Sequence, residues 1–136
     1  MPGIRQLFSE LQSQQIPFGI ASNSPRSYIN YTLVKHGLKL AVALGIEDVR
    51  RPKPNPDAFI TCAQRLGSDI DRSLTIVLED SAHGIHAARK AGMWAIGVTC
   101  GNEQALMDAG AHTLIKRTMD LTLQPWFHNL TLLNQL

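Results

Sequence analysis

The sequence predicts an α/β domain built on a parallel sheet with helices on both faces. Three observations carry that reading. Short apolar runs, IPFGIAS (16–22), AVAL (41–44), LTIVLED (74–80) and WAIGVTC (94–100), alternate with segments of about ten residues at helical spacing. The runs are apolar almost throughout rather than at every second residue, as strands covered on both sides are. A length of 136 residues with 44% hydrophobic content suffices for one core but not for two.

The elements follow in order. Ile4, Leu7, Phe8 and Leu11 recur at helical spacing, so residues 3–14 form an amphipathic helix. The strand IPFGIAS comes next. Ser24 has the character of an N-cap, with Pro25 at the first helical position of PRSYINYTLVKHG, which stops at Gly37. AVAL is a second strand, followed by the proline-rich loop GIEDVRRPKPNP. Asp57 is expected to cap AFITCAQRLG, whose apolar face is Phe59, Cys62, Ala63 and Leu66 and whose end is Gly67. Then come the strand LTIVLED, the helix HGIHAARKAGM (83–93), the strand WAIGVTC, a short helix around EQALMDAG and a strand in HTLIK (112–116). Residues 1–121 are read as the α/β core. Residues 122–136 are read as a C-terminal extension that packs Trp126, Phe127 and several leucines.

Bulk properties exclude several classes of function. A net charge of +2, with Lys and Arg scattered, gives no basic stripe for nucleic acid. No apolar stretch reaches the ~18 residues of a membrane helix, and the N-terminus has no charged leader before an apolar block. Cys62 and Cys100 form no C-x-x-C and read as small buried apolar residues of a reduced, cytoplasmic protein.

Ligands of open α/β sheets bind beyond the carboxyl ends of the strands, and the polar residues at those ends share one chemistry. Ser22 closes IPFGIAS just before a helix start, where its hydroxyl and the backbone N–H groups of Asn23 and Ser24 can hold phosphate oxygens. Lys53 lies in a proline-stiffened loop that can fix a positive charge near a phosphoryl group. Glu79 and Asp80 end LTIVLED, and hard oxygen ligands at a strand end suit Mg2+, which takes carboxylates together with phosphate oxygens and waters. Each feature alone has a plainer role: a helix cap, a solvated loop lysine, an acidic pair facing a helix N-terminus. Their order and spacing favour a phosphate and magnesium site. The order serine, lysine, acids also differs from a two-component receiver domain, whose acids come first.

IASNSPR, RRPKPNPDAF and VLEDSAHGIHAARKAGM resemble the second, third and fourth signature motifs of the haloacid dehalogenase (HAD) superfamily, most closely its β-phosphoglucomutase and phosphoglycolate-phosphatase-like branch. The resemblance runs from about Pro2 to Leu121. It implies a three-layer, Rossmann-like HAD core. Ser22 would be the phosphate-binding serine, Lys53 the lysine that stabilises the phosphoryl group, and Asp80 a magnesium ligand with Glu79 beside it. Asn23 and Ser81 would line the same pocket. The implied activity is Mg2+-dependent hydrolysis or mutation of a small phosphorylated metabolite such as a sugar phosphate.

The family's first motif, a strand ending in D-x-D-G-T, has no counterpart, since no acidic residue precedes Glu10. Its first aspartate is the nucleophile and its second the acid and base. The only D-x-D, Asp69-Ile70-Asp71, precedes a strand and reads as a turn. The helical cap that chooses the substrate is also absent. The resemblance therefore implies a gap between IPFGIAS and LTIVLED, closed by direct pairing, by the C-terminal tail, or by a strand from a second polypeptide or a homodimer mate. The chain alone is expected to be inactive. The alternatives are a non-catalytic module that binds phosphate or protein, and one half of a split enzyme. His83, His86 and His36 are expected to do no chemistry. Arg50 and Arg51 could attract anions or be solvated surface.

Overall fold

The computed structural model describes residues 3–67 and 69–123. In chain order it contains α1 (Ile4–Ser13), β1 (Gly19–Ala21), α2 (Arg26–Lys35), β2 (Val42–Leu44), α3 (Asp57–Leu66), β3 (Ile76–Glu79), α4 (Ala82–Lys90), β4 (Trp94–Val98), α5 (Glu103–Asp108) and β5 (Thr113–Ile115), with 3₁₀ turns at Ile46–Asp48, Arg72–Leu74 and Thr118–Leu123. The expected alternation of strand and helix is therefore present. The expected packing of Trp126 and Phe127 lies outside the described residues.

Among the described residues all strand pairings are parallel, and the strands form two sheets, β1-β2 and β3-β4-β5. β4 lies between β3 and β5 and shows why both faces are covered. Side chains alternate along a strand. Ala95 shares a hydrophobic cluster with Phe59, Ile85, Ala88 and Leu106 of α3, α4 and α5, whereas Ile96 and Val98 share another with Leu7 of α1 and Leu121 of the last 3₁₀ turn. Ile96 and Leu106 are fully buried; burying a side chain of this size contributes about 1.5–3 kcal/mol. A smaller cluster of Val42, Leu44 and Cys62 joins β2 to α3.

The strands are shorter than the apolar runs for local reasons. Pro17 has no N–H to give a ladder, and the Ile16 N–H donates to Leu11 O at 2.9 Å, so the start of IPFGIAS finishes the turn after α1. Thr75 N–H donates to Arg72 O at 3.1 Å and closes a 3₁₀ turn, so β3 opens at Ile76. Asp71 caps that turn, accepting from Ser73 N–H at 2.8 Å, which bears out the reading of Asp69-Ile70-Asp71 as a turn.

Two caps differ from expectation. Ser24 does not cap α2, because Pro25 holds the cap position and the Arg26 N–H is satisfied by Glu47 Oε2 at 3.0 Å. Asp57 is the first residue of α3 rather than its cap, and its carboxylate faces the Arg51 guanidinium at 2.9 Å. Cys100 is exposed, against expectation, because the β4 ladder ends at Val98; both cysteines are free thiols. Burial pushes the Cys62 thiol up to about 11, so it stays protonated as an apolar filler.

Direct pairing does not close the gap: among the described residues β1 and β3 belong to separate sheets and share no ladder. No helix of the described residues is long and apolar enough to cross a membrane.

Candidate functional site

The carboxyl ends of β1 and β3 open onto a shared pocket of about 320 Å³, lined by Ser22, Asn23, Ser24, Lys53, Ser81 and His83. Residues from three separate stretches of sequence thus meet at one place.

The loop after β1 is shaped by its own polar groups. Ser22 N–H continues the β1-β2 ladder to Leu44 O at 3.0 Å. Ser22 Oγ accepts from Ser24 N–H at 3.1 Å, so one of the backbone amides expected to bind anions is already used. The same bond leaves the Ser22 hydroxyl hydrogen available to donate into the pocket. Asn23 grips the lysine loop with both ends of its amide: Nδ2 donates to Lys53 O at 3.1 Å and Oδ1 accepts from Lys53 N–H at 3.0 Å. The Lys53–Pro54 peptide in that loop is cis.

Lys53 reaches across to the second sheet. Its ammonium pairs with Glu79 Oε1, the two side chains being 9% and 8% exposed, and it lies 4.9 Å from the centre of the Phe59 ring. The other Glu79 oxygen accepts from Ser81 Oγ at 3.0 Å. Ser81 Oγ also accepts from Gly84 N–H at 3.1 Å and caps α4, the usual way to satisfy a first-turn amide. A Cβ at Gly84 would overlap the Glu79 carboxylate where it now lies, so a larger residue there would push that carboxylate aside.

Glu79 and Asp80 are adjacent but differently placed. Glu79 is the last residue of β3 and buried, whereas Asp80 lies just past the strand and is exposed. The Asp80 carbonyl is anchored by Asn102 Nδ2 at 2.9 Å. Among the described residues no group of three or more His, Cys, Asp or Glu forms a metal cage.

The sequence reading missed Gly84 and Asn102. Gly84 left a signal, a glycine inside an otherwise regular helix; Asn102 left none. His83 and His86 are both exposed, and His83 lies at the rim of the pocket. His36 is the exposed C-cap of α2. Arg51 is held by Asp57, while Arg50 is exposed. A second, more apolar pocket of about 370 Å³ lies at the opposite end of β1 and β2, between Gln12, Ile16, Phe18, Lys39 and Leu66.

Residues 1–98 match the family model "Haloacid dehalogenase-like hydrolase". The chain is 34% identical over 128 residues to validoxylamine A 7'-phosphate phosphatase of Streptomyces hygroscopicus subsp. limoneus, covering 93% of this chain and 57% of that protein. It is 33% identical over 129 residues to beta-phosphoglucomutase of Bacillus subtilis, covering 91% of this chain and 52% of that protein. The crystal structure of beta-phosphoglucomutase from Clostridium difficile superposes with a TM-score of 0.78 at 27% identity, covering 95% of this chain and 56% of that one. The chain thus spans little more than half the length of these relatives.

Proposed function

The chain belongs to the haloacid dehalogenase-like hydrolase family, and on that premise we propose that it is the phosphate- and magnesium-binding core of a phosphatase or phosphomutase acting on a small phosphorylated metabolite such as a sugar phosphate. The observation that carries this is the convergence of Ser22, Asn23, Lys53 and Ser81 on one pocket at the strand ends, beside Glu79 and Asp80. Hydroxyl and amide donors would bind the non-transferred phosphate oxygens, and Lys53 would offset negative charge on the phosphoryl group. The validoxylamine phosphatase and the beta-phosphoglucomutase both have names that refer to phosphorylated compounds, which supports the substrate class.

The donor set fits Mg2+. This ion takes one or two carboxylates and completes its shell with phosphate oxygens and waters, and Asp80 presents an exposed carboxylate next to Glu79. When bound, the ion would neutralise charge on the phosphoryl group. The chain's own residues supply the rest: Ser22 and Asn23 orient the phosphate, Lys53 holds a positive charge against it, and Ser81 fixes the helix N-terminus beneath it.

The attacking carboxylate is a separate matter. Asp-x-Asp occurs only at Asp69–Asp71, outside this pocket. We propose that a further strand, from a longer form of this chain or from a second polypeptide, completes the sheet between β1 and β3 and brings the nucleophile. The two separate sheets favour this over a purely non-catalytic module. We also propose residues 1–121 as the core that accepts this strand and 122–136 as an extension to it.

The test is turnover of a panel of small phosphate esters in Mg2+. The 136-residue chain alone should stay at background. Mixing it with a polypeptide that carries a D-x-D-G-T strand should give turnover, lost in Lys53→Ala and in Asp80→Ala. Turnover by the chain alone that Asp80→Ala abolishes would contradict the proposed division of labour.

A further inference from the structure

We infer that Glu79 is a built-in counter-ion for Lys53 that keeps the phosphate pocket electrically closed until a divalent cation draws its carboxylate away, so that metal and phosphate bind cooperatively. This rests on the reading of the site above. It assigns Glu79 a role that a metal ligand alone would not have.

Three observations carry it. The ammonium of Lys53, the one lysine among the described residues that line the pocket, is already paired with Glu79, and both side chains are about nine-tenths buried. At such burial an ion pair is weakly screened, so an arriving phosphate must compete with the carboxylate rather than with water. Next, Glu79 is held in that position from behind: Ser81 Oγ donates to its second oxygen at 3.0 Å, and the bare Cα of Gly84 leaves the space that the carboxylate occupies. Finally, Asp80 is adjacent in sequence yet exposed, so a cation can be met first at Asp80 without breaking the buried pair.

The consequence is an exchange of partners. With no cation, Glu79 cancels the Lys53 charge and, together with Asp80, repels a phosphate dianion. With a cation at Asp80, Glu79 gains a doubly charged partner, turns from the ammonium and leaves Lys53 free to donate to phosphate oxygens. Nothing is oxidised or transferred; only the pairing changes. Thermodynamic linkage makes the effect reciprocal: phosphate must strengthen metal binding by the same factor as metal strengthens phosphate binding.

The experiment is a titration of the 136-residue chain with inorganic phosphate, with and without Mg2+, read by calorimetry. Wild type should bind phosphate about tenfold more tightly in saturating Mg2+. Glu79→Gln keeps the shape but removes the charge; it should bind phosphate about tenfold more tightly than wild type when Mg2+ is absent, and gain less from the metal. Phosphate binding that depends on Lys53 but is no tighter in Glu79→Gln overturns the counter-ion role and leaves the site reading intact. Phosphate binding that Lys53→Ala leaves unchanged, or no binding in any variant, overturns the site reading and this inference with it. Should Glu79→Gln fail to fold, reductive methylation of wild type decides: Mg2+ should speed labelling of Lys53 but not of the exposed Lys35 and Lys39, and an unchanged Lys53 rate overturns the inference.

Discussion

Around β4 the chain is sealed on both sides: Ala95 and Ile96 are fully buried, and helices or a 3₁₀ turn cover each face. Around β1 it is thin. All three β1 residues stay half-buried, and α2 turns Tyr28, Tyr31 and Val34 to solvent at 60%, 61% and 80% exposure. The site draws on both regions. The thicker one supplies Glu79, Asp80 and Ser81 from a well-packed strand end and a capped helix, and the thinner one supplies Ser22 and Asn23. Lys53 joins them, gripped by Asn23 on one side and paired with Glu79 on the other. The contrast suggests that the acidic half is preformed, while the phosphate-binding half depends on that lysine for its position.

Cutting the link gives the largest expected effect. Lys53→Met leaves the Glu79 carboxylate buried without its partner, and loss of one member of a buried pair costs about 3–5 kcal/mol; urea unfolding should show it. A loss below about 1 kcal/mol, the size of an exposed pair, would mean that Lys53 is solvated and the two halves are not joined through it.

Matched truncations sharpen the contrast. Leu106 and Leu44 are both essentially fully buried, one in each region, and Leu→Ala in a core costs about 2–5 kcal/mol depending on how far the site can collapse. Leu106→Ala should fall near the upper end and Leu44→Ala near the lower. Amide exchange at Ile96 should likewise be slower than at Ile20. Equal losses and equal protection would break the comparison.

Smaller still is Ser81→Ala. It removes the cap of α4 and one donor to Glu79, and the loss of such a cap costs about 1 kcal/mol, again measurable by urea unfolding.

The smallest effect is confined to the thicker half. His112 stacks on Trp94 at 3.9 Å, and its Nδ1 accepts from Ala95 N–H at 2.9 Å. Burial first, and then the Arg89 guanidinium, hold its pKa below the ordinary imidazole value. The unfolded chain therefore binds more protons between the ordinary value and the lower folded one, so stability rises with pH across that window. The contribution is present above the ordinary value, near 6.5, and is lost as pH falls below it. Unfolding followed from pH 7.5 to about 5 should show this slope, and His112→Gln should flatten it.

Much of this fold was legible because doubly covered strands must be apolar along their whole length, which placed β1 to β4 and the helices between them. Strand ends were less legible, because local bonds decide them: Pro17 and the Thr75 turn shorten two strands, and the end of the β4 ladder at Val98 leaves Cys100 exposed. The candidate site residues were visible as polar residues at strand ends. The bonds among them were not, because Asn23 to Lys53 and Lys53 to Glu79 join positions 30 and 26 apart in sequence. Gly84 could have been found, since a glycine inside a helix asks for a reason, and here that reason is the Glu79 carboxylate at the end of β3.

The most direct test of the central claim, that the two strand ends form one phosphate site through Lys53, is amide NMR of the 136-residue chain titrated with inorganic phosphate in Mg2+. Asn23, Lys53 and Ser81 should shift together along one binding curve, and Lys53→Ala should suppress all three. Shifts that survive in Lys53→Ala, or that appear instead around Ile16 and Phe18 at the opposite end of β1, would contradict it.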